Sequence, residues 1–188
     1  MNESDFDVSE GVAGRVEGTR GGVAYTIATD CFDAMGVAQD CDETAASADV
    51  TSLVDGSVET ARYDWSILRE ANWQLDDLDA TPQLAGTATT DLRSTFTALR
   101  RAVDRDYILE LDGTYDITGS PDDITAATGV VTWQVTATRT RGVGVSEAET
   151  TFDATIDATL NGDGSATIVL SGDYLYTLDQ VTGDLDAE

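Results

Sequence analysis

The sequence predicts an all-β fold: an antiparallel meander forming a barrel or half-barrel, with a two-sheet β-sandwich as the alternative. Three observations carry this prediction. Apolar and polar residues alternate with period two over most of the second half of the chain, turn sequences fall between the alternating runs, and no stretch of helical period stands clear of a strand reading. Long alternating strands with no helix to cover them must bury their apolar face against another sheet or against themselves.

The elements follow in chain order. Residues 1–9 read as a flexible N-terminal tail. Residues 10–188 read as a single domain, because neither a Pro-rich or Ser-rich linker nor a fixed-period repeat divides the 188 residues. Strands are predicted near Val12–Glu17 and Gly22–Thr29. Cys31 and Cys41, the only cysteines, bracket the short loop FDAMGVAQD, a spacing that suits a disulfide contributing about 2 to 3 kcal/mol through loop entropy. Further strands are expected over Ser57–Leu68, Asn72–Leu75 and Leu84–Thr90.

In TDLRSTFTALRRAV, Leu92, Phe96, Leu99 and Val103 repeat as on a helix, while Leu92, Ser94, Phe96 and Ala98 share a strand face. Threonine content and the flanking strands favour a strand with a helical turn near Arg100–Val103. In DYILELDGTYDITGS, Asp112-Gly113 resembles a hairpin turn. A two-residue loop would set Thr114 against Leu111, however, and only one continuous strand keeps Tyr107, Leu109, Leu111, Tyr115 and Ile117 on one face. Gly113 then reads as a bend or bulge. In GVVTWQVTATRTR, Val131, Trp133, Val135 and Ala137 oppose Thr132, Gln134, Thr136 and Thr138.

The stretch ETTFDATIDATLNGDGSATIVLSG poses a choice between a calcium loop and a turn at NGDG. A loop of Gly162 to Gly164 pairs Leu160 with Ala166, Ala158 with Ile168 and Ile156 with Leu170, uniting the apolar sets. It corresponds to a type I turn followed by a left-handed Gly164. An EF-hand needs ligands where Thr159 and Leu170 stand, so NGDG is a turn. SGD at 171–173 reads as a turn or a bulge before a last strand over Tyr174–Val181.

Composition excludes whole classes of function. Acidic residues number 36 against 10 basic ones, every basic residue is Arg, and the net charge is -26. A field of that sign repels phosphate backbones and anionic headgroups, which makes nucleic acid a poor partner, and it also fits a salt-rich habitat. Without His or Lys there is no Ser-His-Asp or Cys-His nucleophile, His-ligated zinc, P-loop or Schiff base. No run approaches the ~18 apolar residues of a transmembrane helix. The N-terminus has neither a basic n-region nor an apolar h-region, so an export signal or lipid anchor, where there is one, precedes Met1.

Carboxylate chemistry remains. Glu110 and Asp112, with Asp116 beyond, share the polar face of one strand, and residues two apart on a strand lie about 6.6 Å apart, a separation that inverting glycosidases use. In so acidic a chain such pairs also arise on any solvent face. Asp30, Asp33, Asp40, Asp42 and Glu43 crowd the disulfide loop and form the candidate metal site; calcium is the one cofactor their oxygens suit, and no other cofactor is expected. The competing reading is a solvated acidic loop. Asp76, Asp77 and Asp79 form a weaker cluster. Trp65, Trp73, Trp133, Tyr63 and Tyr107 could stack on sugars, but their strand-face spacing points to core.

The Thr-rich runs GVVTWQVTATRTR and SATIVLSGDYLYTLDQVTGDLD resemble those of uncharacterised, predicted lipoproteins of the bacterial envelope, over about the last third of the chain. The resemblance implies export and a lipidated cysteine upstream, and it transfers no catalytic residue. Together with the paired cysteines it leads to the functional expectation: a non-enzymatic exported module of the periplasm, cell surface or extracellular space that binds an apolar small molecule, a lipid or a protein partner. The alternatives are a calcium-dependent adhesion or structural module and, third, a carboxylate glycosidase.

Overall fold

The computed structural model describes residues 7–10, 14–78, 80–98, 103–120, 123–143 and 146–187. These form thirteen strands and no helix: β1 Asp7–Glu10, β2 Arg15–Arg20, β3 Val23–Phe32, β4 Ala38–Gln39, β5 Ser47–Glu59, β6 Tyr63–Asp76, β7 Gln83–Ala98, β8 Val103–Ser120, β9 Asp123–Val143, β10 Ser146–Asn161, β11 Ser165–Leu170, β12 Tyr174–Asp179 and β13 Leu185–Ala187. Each pairs antiparallel with the next in one sheet, except that β5 follows β3 in the order and β4 hangs on β3.

The meander is the predicted one, and the sheet is open, which is consistent with the half-barrel rather than the closed barrel. Its first and last strands, β1 and β13, do not meet. Neither the closed barrel nor the second layer of a sandwich is present among the described residues. Closure requires the terminal strands to pair, and these are only four and three residues long, against 21 for the central β9.

Register follows the alternation. One cross-strand row reads Cys31, Ala48, Leu75, Leu84, Ile117, Gly129, Leu160, Ala166, Leu178 and Leu185 from β3 to β13, apolar or glycine at every strand. The next row, on the opposite face, reads Asp30, Asp49, Gln74, Ala85, Asp116, Val130, Thr159, Thr167, Thr177 and Asp186. Threonines of the polar face are tied to its acids. Thr132 donates to Asp157 and Thr136 to Asp153, each at 2.9 Å across the β9–β10 pair.

The NGDG turn takes the predicted register, Leu160 with Ala166 through Ile156 with Leu170. It departs from a type I turn in that Gly162 (φ 77°) as well as Gly164 (φ 85°) is left-handed. Asp163 between them accepts from the backbone N–H and hydroxyl of Ser165 at 3.0 and 2.6 Å, and these bonds hold its carboxyl below the usual carboxylate range. SGD is a turn, with Ser171 and Gly172 left-handed between paired Leu170 and Tyr174.

Four expectations are corrected. Gly113 is neither bend nor bulge, since it pairs in register with Ala88 and Trp133, and the irregularity of β8 lies at Thr118/Ser120 instead. The strand expected over Ser57–Leu68 is interrupted at 60–62, where Thr60 and Tyr63 bond each other through backbone and hydroxyl. That turn separates β5, whose Ser52 and Gly56 hide its alternation, from β6. Third, Asp7–Glu10 pairs with β2 as β1, so strand begins inside the stretch read as a tail, whose residues 1–6 lie outside the described residues. The fourth concerns the aromatics, discussed below. The 92–98 segment is strand, as favoured. Of its predicted helical turn Val103 opens β8, and 100–102 lie outside the described residues, as do Val12 and Ala13 of the first predicted strand.

A single layer cannot make an ordinary core. Among the described residues the buried hydrophobics are all small or modest in size, Val23 and Cys31 with six alanines. The only buried cluster among the described residues joins Cys31, Ala45 and Ala48 beside Leu78. The chain exposes 12608 Å², whereas a compact protein of this length is expected to expose roughly 8,700 Å².

Candidate ligand-binding face

Period two sorts the chemistry of the sheet onto two surfaces. Among the described side chains of β2–β13, every strand carboxylate projects from one face, and the other carries aliphatic, aromatic, small and arginine side chains. All three tryptophans of the chain stand on the apolar face. They are half-buried rather than enclosed, because no layer of described residues covers them. The expectation that the aromatics are core holds for their face and fails for their cover, and Tyr63 and Tyr107 are exposed at 42% and 41%.

Within this face the large rings lie across small residues. Trp73 occupies the space beside Gly86, and Trp133 that beside Gly113. The Trp133 ring meets Tyr115 edge-on at 5.4 Å and 87°. Ala71 and Ala88, in the same row as Gly113 and Trp133, are 1% exposed despite the missing second layer. Burial pushes the Tyr115 phenol above its ordinary pKa, with the positive charge of Arg69 opposing. Arg69 itself rises from the apolar face, and its Nε is shut off from solvent with no acceptor.

Toward the end of the face where β9 runs into β10, arginine replaces aliphatic residues in the same phase. Arg139 and Arg141 continue the series Trp133, Val135 and Ala137, and Arg141 pairs across the strands with Arg105. Arg139 sits over the Tyr107 ring at 5.8 Å. The arginines were not singled out from the sequence. For Arg139 and Arg141 the signal was there, in the odd-numbered phase of TWQVTATRTR, but Arg105 joins them only through the β8–β9 register.

The predicted acidic sites are dispersed. Glu110 and Asp112 stand exposed on the polar face, opposite Asp91 and Thr89 on β7, with Asp116 further along the strand. Cys31 and Cys41 are bonded. In their loop, Asp33 Oδ1 accepts from the backbone N–H groups of Met35 and Val37 at 2.8 Å. Asp42 Oδ1 accepts from the Thr44 hydroxyl at 2.6 Å and its N–H at 2.8 Å, which lowers the Asp42 pKa. Asp30 projects from β3 beside Asp49, while Asp40 and Glu43 are exposed. Among the described residues no three His, Cys, Asp or Glu side chains converge as a metal ion would require. Of the weaker cluster, Asp79 lies outside the described residues and Asp77 takes a left-handed turn conformation, φ 54°.

No known protein family, curated protein or solved structure matches this chain.

Proposed function

We propose that the chain is a non-enzymatic, exported module of the cell envelope that binds an apolar small molecule or lipid on the bare face of its sheet. The observation that carries this reading is the apolar face itself. Among the described side chains of β2–β13 it is free of carboxylates and holds all three tryptophans, and no described element covers it. The total exposed area of 12608 Å² exceeds that expected of a compact chain of this length by about 3,900 Å², as an uncovered sheet requires. A ligand laid on the face would recover hydrophobic free energy that the single layer leaves unused. Export is supported by the Cys31–Cys41 disulfide, which suits an oxidising compartment. Among the described residues no helix is long and apolar enough to cross a membrane.

The test uses the tryptophans as reporters. Protein stripped of lipid by reverse-phase chromatography and refolded is titrated with an apolar fluorophore and with short-chain lipids. Binding on the face shifts Trp65, Trp73 and Trp133 emission to the blue and saturates near one site per chain or per few chains. Unchanged emission across all probes defeats the reading.

A further inference from the structure

We infer that the ligand is an anionic single-chain amphiphile, its acid head held by Arg105, Arg139 and Arg141 and its chain lying along β8 and β9. This rests on the apolar-face reading above and adds the chemistry of the head. The three guanidinium groups gather at one end of the face, and no described side chain beside them on β7–β10 offers that face a carboxylate. Their same-face neighbours on the flanking strands are Phe96, Ser94, Ala148 and Thr150. Arg105 and Arg141 stand directly opposite one another, an arrangement of like charges that costs stability unless an anion lies between them. The net charge of -26 repels anions at long range, but salt screens that field beyond about 10 Å, and at contact distance an anion meets three arginines with no described carboxylate beside them on their face.

Apolar surface continues from the cluster. Leu109 with Ala137, Leu111 with Val135, and Gly113 with Trp133 follow in successive rows. From Arg105 to Leu111 this track runs about 20 Å, at roughly 3.3 Å per residue. Arginine accepts a carboxylate or phosphate in bidentate fashion, so a head of either kind fits the cluster while the chain follows the track. A second copy of the protein packed apolar face to apolar face, the other occupant the bare face could take, would present the same arginines and no described strand carboxylate of β2–β13. It could cover the aliphatic rows but could not neutralise this end.

The test compares palmitate with monopalmitin, which has the same chain and an uncharged head, by tryptophan emission on the stripped protein. It is repeated on the triple variants Arg105→Gln/Arg139→Gln/Arg141→Gln and Arg105→Lys/Arg139→Lys/Arg141→Lys, with circular dichroism confirming that each is folded. The expected result is that the glutamine variant binds palmitate at least about tenfold more weakly, as loss of charge-assisted bonds implies. Its affinity for monopalmitin should be unchanged, and the lysine variant should retain most of the palmitate affinity. Palmitate affinity unchanged in the glutamine variant, or lost equally for both ligands, overturns the assignment and leaves the apolar face standing. Wild-type protein that binds neither ligand defeats the apolar-face reading and this one with it. A dimer by sedimentation velocity that excludes palmitate identifies the second copy as occupant and overturns the assignment.

Discussion

The indole of Trp133 fills the space that a side chain at Gly113 would occupy: a Cβ there would lie 2.9 Å from Cζ3 and 3.0 Å from Cε3 of the ring. A glycine in mid-strand ordinarily weakens a sheet. Here it admits a large ring onto a face that no second layer covers among the described residues.

The first prediction follows from that contact. Gly113→Ala should destabilise by about 1 kcal/mol or more, because Trp133 must move off the sheet, against the ordinary gain of about 0.5 to 1 kcal/mol for replacing a strand glycine. In a Trp133→Ala background the same substitution should be neutral or stabilising. Urea unfolding of the double-mutant cycle checks this. Additivity of the two changes would mean that ring and glycine are independent.

The second prediction concerns the NGDG turn, where both glycines are left-handed. Gly164→Val should cost roughly 1 to 2 kcal/mol through strain alone. Gly162→Ala should cost no less than Gly164→Ala, since its Cβ would also lie 2.7 Å from Thr128 Cγ2 on the neighbouring strand. This reverses the order that a type I turn implies. Equilibrium unfolding of Gly162→Ala and Gly164→Ala decides it, and a cheap Gly162→Ala would restore that turn.

The NGDG pairing was legible because only one loop length keeps Ile156, Ala158 and Leu160 on the same face as Ala166, Ile168 and Leu170. The role of Gly113 was not, because a strand glycine answers equally to a bulge or to a ring from the next strand, and only the β8–β9 register brings Trp133 beside it. The choice between the closed barrel and the open half-barrel was hidden for a similar reason. Alternation reports that a face is apolar and is silent on what covers it, so the same pattern fits a barrel, a sandwich or the bare sheet. The disulfide could be read from the spacing of Cys31 and Cys41. The use of Asp33 and Asp42 as local turn acceptors depends on backbone conformation within that loop.

The last prediction is that screening stabilises the sheet and that calcium adds little. On the polar face Asp30 faces Asp49, Glu59 faces Asp64 and Asp91 faces Glu110, each a directly opposed pair of like charges. Such pairs are destabilising. Their repulsion fades as the Debye length falls from ~30 Å at 0.01 M salt to ~10 Å at 0.1 M. Monovalent salt should therefore raise the melting temperature, and Asp91→Asn should raise it at low salt more than at high. A specific calcium site would behave differently, since a ligand at 100 times its dissociation constant stabilises by about 2.7 kcal/mol whatever the background screening. Asp33 and Asp42 each already use one oxygen to hold the loop's own N–H groups, which leaves the five carboxylates of that loop poorly placed to converge on one ion. Melts at 0.15 M salt with chelator or with submillimolar calcium should coincide for wild type and for Asp40→Asn/Asp42→Asn. A calcium increment present in the wild type and absent in the variant would establish a cation site at the disulfide loop and revive the adhesion reading.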